Sequence, residues 1–425
     1  MTGEVSKFID KFTEKFSMYS FGNPGYGQLC AHVLLGQVLK DCQIPFGPLY
    51  IDPRVSIFII QPSATGKSTA WDLIAKVARE GQISVDDIDE ITDAALVGTI
   101  EDQEEVDPET GAKKKVYTAI KGKLATAELL HFDEGSMLFD RSSHSAHGMT
   151  WFQKALNPMK SEQSRCTKKL AHGEEITFFP TCSLIITSHP LEGVLQTILN
   201  KGFFQRIILY PRDIPINERQ IIEYQRADKL GKSSNVEVDI LSLGKSLQEI
   251  RKRYNGKPIE FSSKIKPVIK AKIKTFYTLI EQSHPKVKEI VATFIPRYNN
   301  YMYILALHHV CDRGGSMVKI EDINYAFKII YVIFRELINW VEETADFYKI
   351  GNKDKSYLML AKNLYYRTKK DTNDGWVMKR RFINICAEKW KISKHTIRKY
   401  LERFKGYGKL KEYEKDNITY IKMES

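Results

Sequence analysis

Residues 55–70, Val-Ser-Ile-Phe-Ile-Ile-Gln-Pro-Ser-Ala-Thr-Gly-Lys-Ser-Thr-Ala, constrain the rest of the chain more than any other stretch. The apolar run Val55 to Ile60 reads as a buried strand. It breaks into a loop of small residues ending Gly66-Lys67-Ser68-Thr69. Trp71, Leu73, Ile74 and Val77 then recur at helical spacing. Strand, loop, Gly-Lys-Ser and helix form the context of a phosphate-binding loop. Backbone N–H groups from Ser63, Ala64, Thr65 and Gly66, continuing through Lys67, Ser68 and Thr69, would cradle phosphates. Lys67 would reach the β/γ oxygens of ATP, and the Ser68 hydroxyl would ligate Mg²⁺. The pattern G-x-x-x-x-G-K-[ST] has its first glycine replaced by Gln61.

A second constellation supplies what hydrolysis needs beside such a loop. Residues 127–134, Ala-Glu-Leu-Leu-His-Phe-Asp-Glu, read as an apolar strand ending in two carboxylates. Asp133 would hold Mg²⁺ through water and Glu134 would polarise the attacking water. Cys182 to Ile186 reads as another buried strand, opening into Thr187-Ser188-His189-Pro190, where Ser188 and His189 are candidate γ-phosphate sensors. Arg206 stands just before the apolar run Ile207 to Tyr210 and is a candidate arginine finger for a neighbouring subunit.

Two segments read as hairpins. In the first, Val106 to Tyr117, Pro108 and Gly111 mark the turn and Lys113, Lys114 and Lys115 lie on the far arm. In the second, arms on either side of Ala171-His172-Gly173 carry Lys168 and Lys169. Residues 1–48 look helical, interrupted by a glycine-rich turn over 21–27. Short helices are expected over 93–100 and 151–162. The stretch 212–258 is charged and linker-like, and 264–350 is helical throughout. His308 and His309 lie on an apolar helix without metal-spaced partners, so satisfied helix histidines are expected there.

Charge separates the C-terminus from the rest. The net charge is +12, and residues 351–425 hold 20 Lys and Arg against 9 Asp and Glu, about +11 of the total. A polyanion is the expected partner of that segment. It reads as two helices, Lys379 to Trp390 and Ser393 to Phe404, joined by a Lys391-Ile392 turn. A hairpin turning at Asp416-Asn417 follows. This is the pattern of a winged helix-turn-helix, whose second helix would present Lys394, His395, Arg398 and Lys399 to a nucleic-acid groove.

At 425 residues two to four domains are expected. Apolar content of 43% and charged content of 27% are those of an ordinary soluble protein. No apolar run approaches the ~18 residues of a membrane span, so no membrane partner is expected. The location expected is the cytoplasm, with the nucleoid, for a prokaryotic or phage protein, or the nucleus. The six cysteines are scattered without a C-x-x-C pair, which argues against a disulfide framework or zinc ribbon.

In order and spacing, residues 20–345 resemble the AAA+ core of minichromosome maintenance (MCM) helicases and the shorter MCM-like helicases of phages and mobile elements. Ala31 to Lys40 is similar to the helix before the family's phosphate loop. Asp133-Glu134-Gly-Ser-Met137 stands where the family has Asp-Glu-Phe-Asp-Lys-Met. Thr187-Ser-His-Pro190 stands at its Ala-Ala-Asn-Pro sensor, Gln205-Arg206-Ile-Ile at its Ser-Arg-Phe-Asp finger, and Arg297 with Leu305-Ala306 at its sensor-2 helix. The hairpins fall where the family carries its helix-2 insert and pre-sensor hairpin, the loops that grip DNA. His189 replaces the sensor asparagine, and Ala171 or His172 stands at the hairpin-tip lysine. The family's N-terminal zinc and OB domain has no counterpart in the sequence.

The resemblance implies an α/β fold: a P-loop AAA+ ATPase core (49–215) with two hairpin insertions, preceded by a helical segment (1–48). A linker and helical lid (216–350) and a winged helix-turn-helix DNA-binding domain (351–425) would follow. It implies an ATP- and Mg²⁺-dependent helicase or translocase acting as a homo-oligomeric, hexameric ring on single-stranded and forked DNA, with a primase or initiator as a further partner. Lys67, Ser68, Asp133 and Glu134 would come from one subunit, Arg206 and Arg297 from its neighbour. DNA contacts are expected from Lys113, Lys114, Lys115, Lys168, Lys169, His172, Lys394, Arg398 and Lys399. Two further readings are a replication initiator or helicase loader that does not unwind, and a nucleotide-switched DNA-binding regulator.

Overall fold

The computed structural model describes residues 7–423 except 21–23, 43, 47–48, 63–64, 107–112, 140–144, 160, 171–174, 191–201, 213, 229, 231–234, 282, 284, 345–360, 363, 366–375, 391–392, 407–408 and 417. The chain divides into two units, Met1–Ala345 and Asp346–Ser425.

The first unit is α/β, built on a five-stranded parallel sheet. Its strands are β1 (Ile57–Ile60), β2 (Val85–Asp87), β3 (Leu129–Phe132), β4 (Ser183–Ser188) and β5 (Ile208–Pro211), in the spatial order β5-β1-β4-β3-β2. Every residue of β1, β3, β4 and β5 is buried, which is why these strands read as continuous apolar runs rather than alternating ones. In register, Ile57 pairs with both Ile185 and Ile208, and Ile186 pairs with Phe132. The ends of β1, β3 and β4 therefore lie side by side.

Helix α1 (Phe8–Ser20) buries Phe8, Phe12 and Phe16 at i, i+4, i+8, with ring centroids 5.6 and 6.0 Å apart. Its first amides are capped from a distance: Asp312 accepts from the N–H groups of Phe8 (2.7 Å) and Ile9 (3.3 Å). Of the glycine-rich turn expected over 21–27, residues 24–27 are helical, and 21–23 lie outside the described residues. Helix α2 (Pro24–Val38) already begins at Pro24, a residue suited to the first helical turn. Gly27 lies inside it because any Cβ there would come within 2.7 Å of the Phe16 ring.

Helix α3 (Lys67–Glu80) follows β1, with Gly66 at φ 81° making the left-handed turn into it. The helix buries Trp71, Leu73, Ile74 and Val77, the positions that carried its periodicity. The charged 212–258 stretch is not a linker but two helices, α4 (Ile216–Asp228) and α5 (Val236–Tyr254). Helix α5 buries Ile240, Leu243, Leu247, Ile250 and Tyr254 as one stripe and packs on α3, where Gly244 meets Glu80. Helix α4 buries no residue at all.

Two other expected spans also shift. The run over 93–100 is helical only at Asp93–Leu96, and the chain turns at Gly98 (φ 137°) into a strand. The helix expected over 151–162 runs instead over Ser145–Ala155, because Pro158 cannot continue it. The region 264–350 is helical over most of the described residues, including α6 (Ile295–Asp312) and α7 (Ile320–Thr344).

In the second unit, α8 (Lys379–Trp390) and α9 (Lys394–Gly406) pack with a three-stranded antiparallel sheet. Its strands are β6 (Val377–Met378), β7 (Leu410–Lys415) and β8 (Ile418–Met423), in the order β6-β8-β7. Ser393 caps α9 through its hydroxyl, which accepts from the Thr396 N–H at 3.1 Å. The core gathers Val377, Phe382, Cys386, Ile397, Leu401 and Ile421. No helix among the described residues is long and apolar enough to cross a membrane.

Candidate functional site

The sheet order brings the Lys67 loop and the Asp133-Glu134 pair to one edge, the carboxyl ends of β1 and β3, with β4 between them. Lys67 is half-buried, and its Nζ donates to the carbonyls of Gln61 (2.8 Å) and Pro62 (3.1 Å). Burial lowers the affinity of this amine for its proton, and the Asp133 carboxylate opposes that shift. Thr65 and Gly66 are buried, and Ser68 and Thr69 are exposed at the helix start. Ser63 and Ala64 lie outside the described residues. Gln61, at 1% exposure, accepts from the Thr65 hydroxyl across 3.4 Å, and its Nε2 has no partner among the described residues.

Asp133 and Glu134 are exposed. The Thr187 hydroxyl donates to Asp133 Oδ1 at 2.5 Å, and the Glu134 N–H donates to the same oxygen at 3.1 Å. Partial burial pushes the Asp133 carboxyl up, but Thr187, the Glu134 amide, His131 and Lys67 together hold it below the usual carboxylate value. Glu134 has φ 59°, a conformation that costs a non-glycine residue about 1 kcal/mol or more. Gly135 anchors it from the other side: a Cβ there would come within 2.6 Å of Ile186 and 2.7 Å of Phe58.

His131 and Asp133 stand two apart at the end of β3 and so share a face. His131 Nδ1 lies 3.0 Å from Asp87 Oδ1; a carboxylate only accepts, so Nδ1 carries the proton. The ring stacks on Trp71 at 4.4 Å, and Nε2 lies 3.5 Å from the Thr187 hydroxyl. Burial lowers the His131 pKa, and Asp87 opposes that shift. Asp87, His131 and Thr187 thus form a scaffold behind Asp133 that spans β2, β3 and β4. Of the sensor candidates, Ser188 is buried and turns its hydroxyl to the His189 carbonyl (2.9 Å), while His189 is exposed. The side chain that reaches Asp133 is Thr187.

Arg206 and Arg297 meet at the opposite edge of the sheet, before the amino end of β5. Arg206 donates through Nε to Asn157 Oδ1 (2.9 Å) and through Nη1 to the Gly202 carbonyl (2.7 Å). Burial lowers its pKa, and the neighbouring Arg297 guanidinium lowers it further. Both line a cleft of about 230 Å³ with Arg54, Asp52, Asn300 and Tyr301. Arg54 is committed to structure, with a bidentate pair to Asp52 and bonds to the carbonyls of Pro180, Cys182 and Asn157. A four-residue strand spans roughly 13 Å, so these arginines do not meet the Lys67 loop of their own chain.

The first hairpin is longer than read, Gly98–Val106 against Lys113–Lys121. Its register sets Lys113, Lys114 and Lys115 opposite Val106, Glu105 and Glu104; the tip, 107–112, lies outside the described residues. The second pairs Cys166–Lys169 with Glu175–Phe178. Lys168 Nζ donates to the Gly98 carbonyl at 2.7 Å, tying the two hairpins together, and Lys169 is exposed. Ala171 and His172 lie outside the described residues. In the second unit Lys394, His395, Arg398 and Lys399 are all exposed on α9, whose other face is buried. His308 and His309 both have partners, the Pro53 carbonyl (2.9 Å) with His32 for one, and Asp322 (2.7 Å) for the other.

Compared with known proteins, the chain matches no family model, and no curated protein matches it.

Proposed function

We propose that this chain is an ATP-dependent DNA helicase or translocase of the MCM-like AAA+ type, working as a ring. The observation that carries the reading is that two sets of charged side chains stand at opposite ends of one parallel sheet. The Lys67 loop, Thr187, Asp133 and Glu134 stand at one end of the parallel sheet, and Arg206 with Arg297 stands at the other. In this reading the two sets would complete one nucleotide site between two copies.

The residues fit magnesium and ATP. Lys67 is parked on carbonyls that phosphate oxygens would replace, and Gly66 opens the helix whose amides would face them. Ser68 and Asp133 are hard oxygen ligands. No group of three or more His, Cys, Asp or Glu gathers anywhere among the described residues, so phosphate and water oxygens would complete the cation's shell. ATP with Mg²⁺ supplies the phosphoanhydride bond and the charge that the protein then directs. Lys67 binds the β/γ oxygens, Asp133 is held ionised toward the cation, and Glu134 orients and polarises water. Arg206 and Arg297 of the adjoining copy neutralise charge developing on the γ-phosphate.

Assembly has further support in α4, where Ile216, Ile221 and Tyr224 are 83, 52 and 61% exposed. The helix leads off from the carboxyl end of β5, beside the Lys67 loop. A run of large apolar side chains in the open suits an interface. The paired hairpins with Lys169 and the lysines of the longer arm would grip the DNA backbone, and the C-terminal unit, read as a winged helix, would set Lys394, Arg398 and Lys399 against a duplex groove. Such phosphate contacts bind without strong sequence preference and weaken with salt.

The deciding measurement is ATP turnover with and without single-stranded DNA, for wild type and Glu134→Gln, alongside the oligomer mass with ATP. DNA-stimulated turnover from a ring, reduced at least about a hundredfold in the variant, is expected. A monomer without turnover would overturn the motor. Turnover without displacement of a strand from a forked duplex would mark a loader or initiator instead.

A further inference from the structure

The three-stranded sheet of the C-terminal unit has two faces of different chemistry. Successive side chains of a strand point to opposite faces. Leu410, Ile421, Met423 and Val377 point into the core. The residues alternating with them pair Lys411 with Lys422, Tyr413 with Tyr420, Lys415 with Ile418, and Met378 with Tyr420. On this outward face the rings of Tyr413 and Tyr420 stack at 5.1 Å and 15°. Trp376 meets Tyr413 edge-on at 4.5 Å, and Lys422 Nζ stands 5.8 Å over the Trp376 ring. Tyr413 is 37% exposed and Met378 38%.

Charge is sorted across the same sheet. Glu412 turns inward and is neutralised by Lys379 (2.6 Å) and Lys405 (2.9 Å). The charged side chains of β7 and β8 that turn outward are Lys411, Lys415 and Lys422, all cationic. Half-exposed aromatic rings interleaved with lysines match an unpaired nucleotide chain, since every base offers a π-face to a ring and every phosphate an anion to an ammonium. A duplex hides its base faces, and an acidic peptide has no use for the rings.

We propose that this outward face binds unpaired nucleic acid, with bases stacking on Tyr413, Tyr420 and Trp376 and phosphates meeting Lys411, Lys415 and Lys422. The site is separate from the exposed face of α9. That helix and the sheet bury their inner faces in one core, and Lys394, Arg398 and Lys399 lie on a different element from the rings. Binding here needs neither ATP nor a ring and does not depend on the motor reading.

The test uses the full chain without nucleotide and labelled oligo-dT, oligo-U and a blunt duplex, read by fluorescence anisotropy. For Tyr413→Ala/Tyr420→Ala, single-strand affinity falls at least about tenfold while duplex affinity holds. Tyr413→Phe/Tyr420→Phe keeps the stacking surface and retains single-strand affinity, which separates stacking from a fold defect. Photo-crosslinking with iodouracil-substituted oligo-dT places adducts on Trp376, Tyr413 or Tyr420. A preference between oligo-dT and oligo-U identifies DNA or RNA as the natural source; binding to neither overturns the site. Undiminished single-strand binding by the alanine variant, equal losses on single strand and duplex, loss in the phenylalanine variant, or adducts confined to other segments would each overturn it as well.

Discussion

At its carboxyl end the five-stranded sheet presents Asp133 and Glu134 in the open beside a half-buried Lys67; at its amino end it presents Arg206 and Arg297 in a cleft. The charges are held in different ways. Asp133 is kept ionised by donors aimed at it, above all the Thr187 hydroxyl. Arg206 is fixed in place by Asn157 and Gly202 but depressed by burial and by a second guanidinium. One end therefore has two exposed carboxylates, one of them held ionised by its donors, and the other has two guanidinium groups brought together against their mutual repulsion. Two guanidinium groups in one cleft suit an arriving anion. Under the proposed reading the anion is the γ-phosphate bound at the acidic end of the adjoining copy.

The comparison breaks most decisively at Arg206. Arg206→Ala is expected to lower turnover about a thousandfold while leaving ATP binding to Lys67 intact. Mixing this variant with Glu134→Gln then tests whether the ends belong to one site. Each is inactive alone, but an interface pairing the Glu134 of one variant with the Arg206 of the other regains both halves. Turnover of the mixture above that of either component is the expected result; none would place the two ends in separate functions.

At the acidic end the sharper probe is Thr187→Val, which keeps volume and removes the hydroxyl that bonds Asp133. A Mg²⁺ titration of turnover should shift 10- to 100-fold toward higher concentration, the usual cost of losing a group that orients a metal ligand. With its strongest donor gone, Asp133 also titrates closer to the ordinary carboxylate range, so the acid limb of turnover moves to higher pH. An unchanged Mg²⁺ dependence would show that Thr187 serves only packing.

The two ends were not equally legible in the sequence. Buried parallel strands are continuous apolar runs, so β1, β3 and β4 and the polar residues closing them could be read directly. Asp87, His131 and Thr187 converge only because β3 lies between β2 and β4, an order that no periodicity encodes. Ser188 and His189 read as the sensor candidates, yet Thr187, one residue earlier, reaches Asp133. The i, i+2 spacing of His131 and Asp133 was the available signal. At the basic end, Arg206 stood out before its strand, but its bond to Asn157 joins residues 49 apart. Helix α5 was hidden by its charges, which outnumber and mask the buried stripe from Ile240 to Tyr254.

The smallest expected effect concerns what supports the basic end. His308 donates from Nε2 to the Pro53 carbonyl, next to Arg54, and a neutral ring then accepts at Nδ1 from His32, 3.2 Å away. His32 in turn accepts at Nε2 from the Tyr325 hydroxyl across 3.3 Å. Burial pulls His308 down to about 4, against an unfolded value near 6.5. Between those values the unfolded chain takes up a proton that the folded chain refuses, so this imidazole costs stability as pH falls. From pH 7 to 5.5 the loss is about 1 kcal/mol. Asp312, buried and pushed up to about 7, works in the opposite sense, because the folded chain binds its proton first. The wild-type curve alone therefore conceals the histidine. His308→Gln keeps a donor for Pro53 and cannot be protonated, so the stability difference between variant and wild type should shift by about 1 kcal/mol in the variant's favour on acidification to pH 5.5, measured by urea unfolding at the two pH values. Parallel curves would mean that the imidazole at the basic end is already solvated or charged, and the contrast with the open, acidic end would be weaker than the buried hydrogen-bond chain implies.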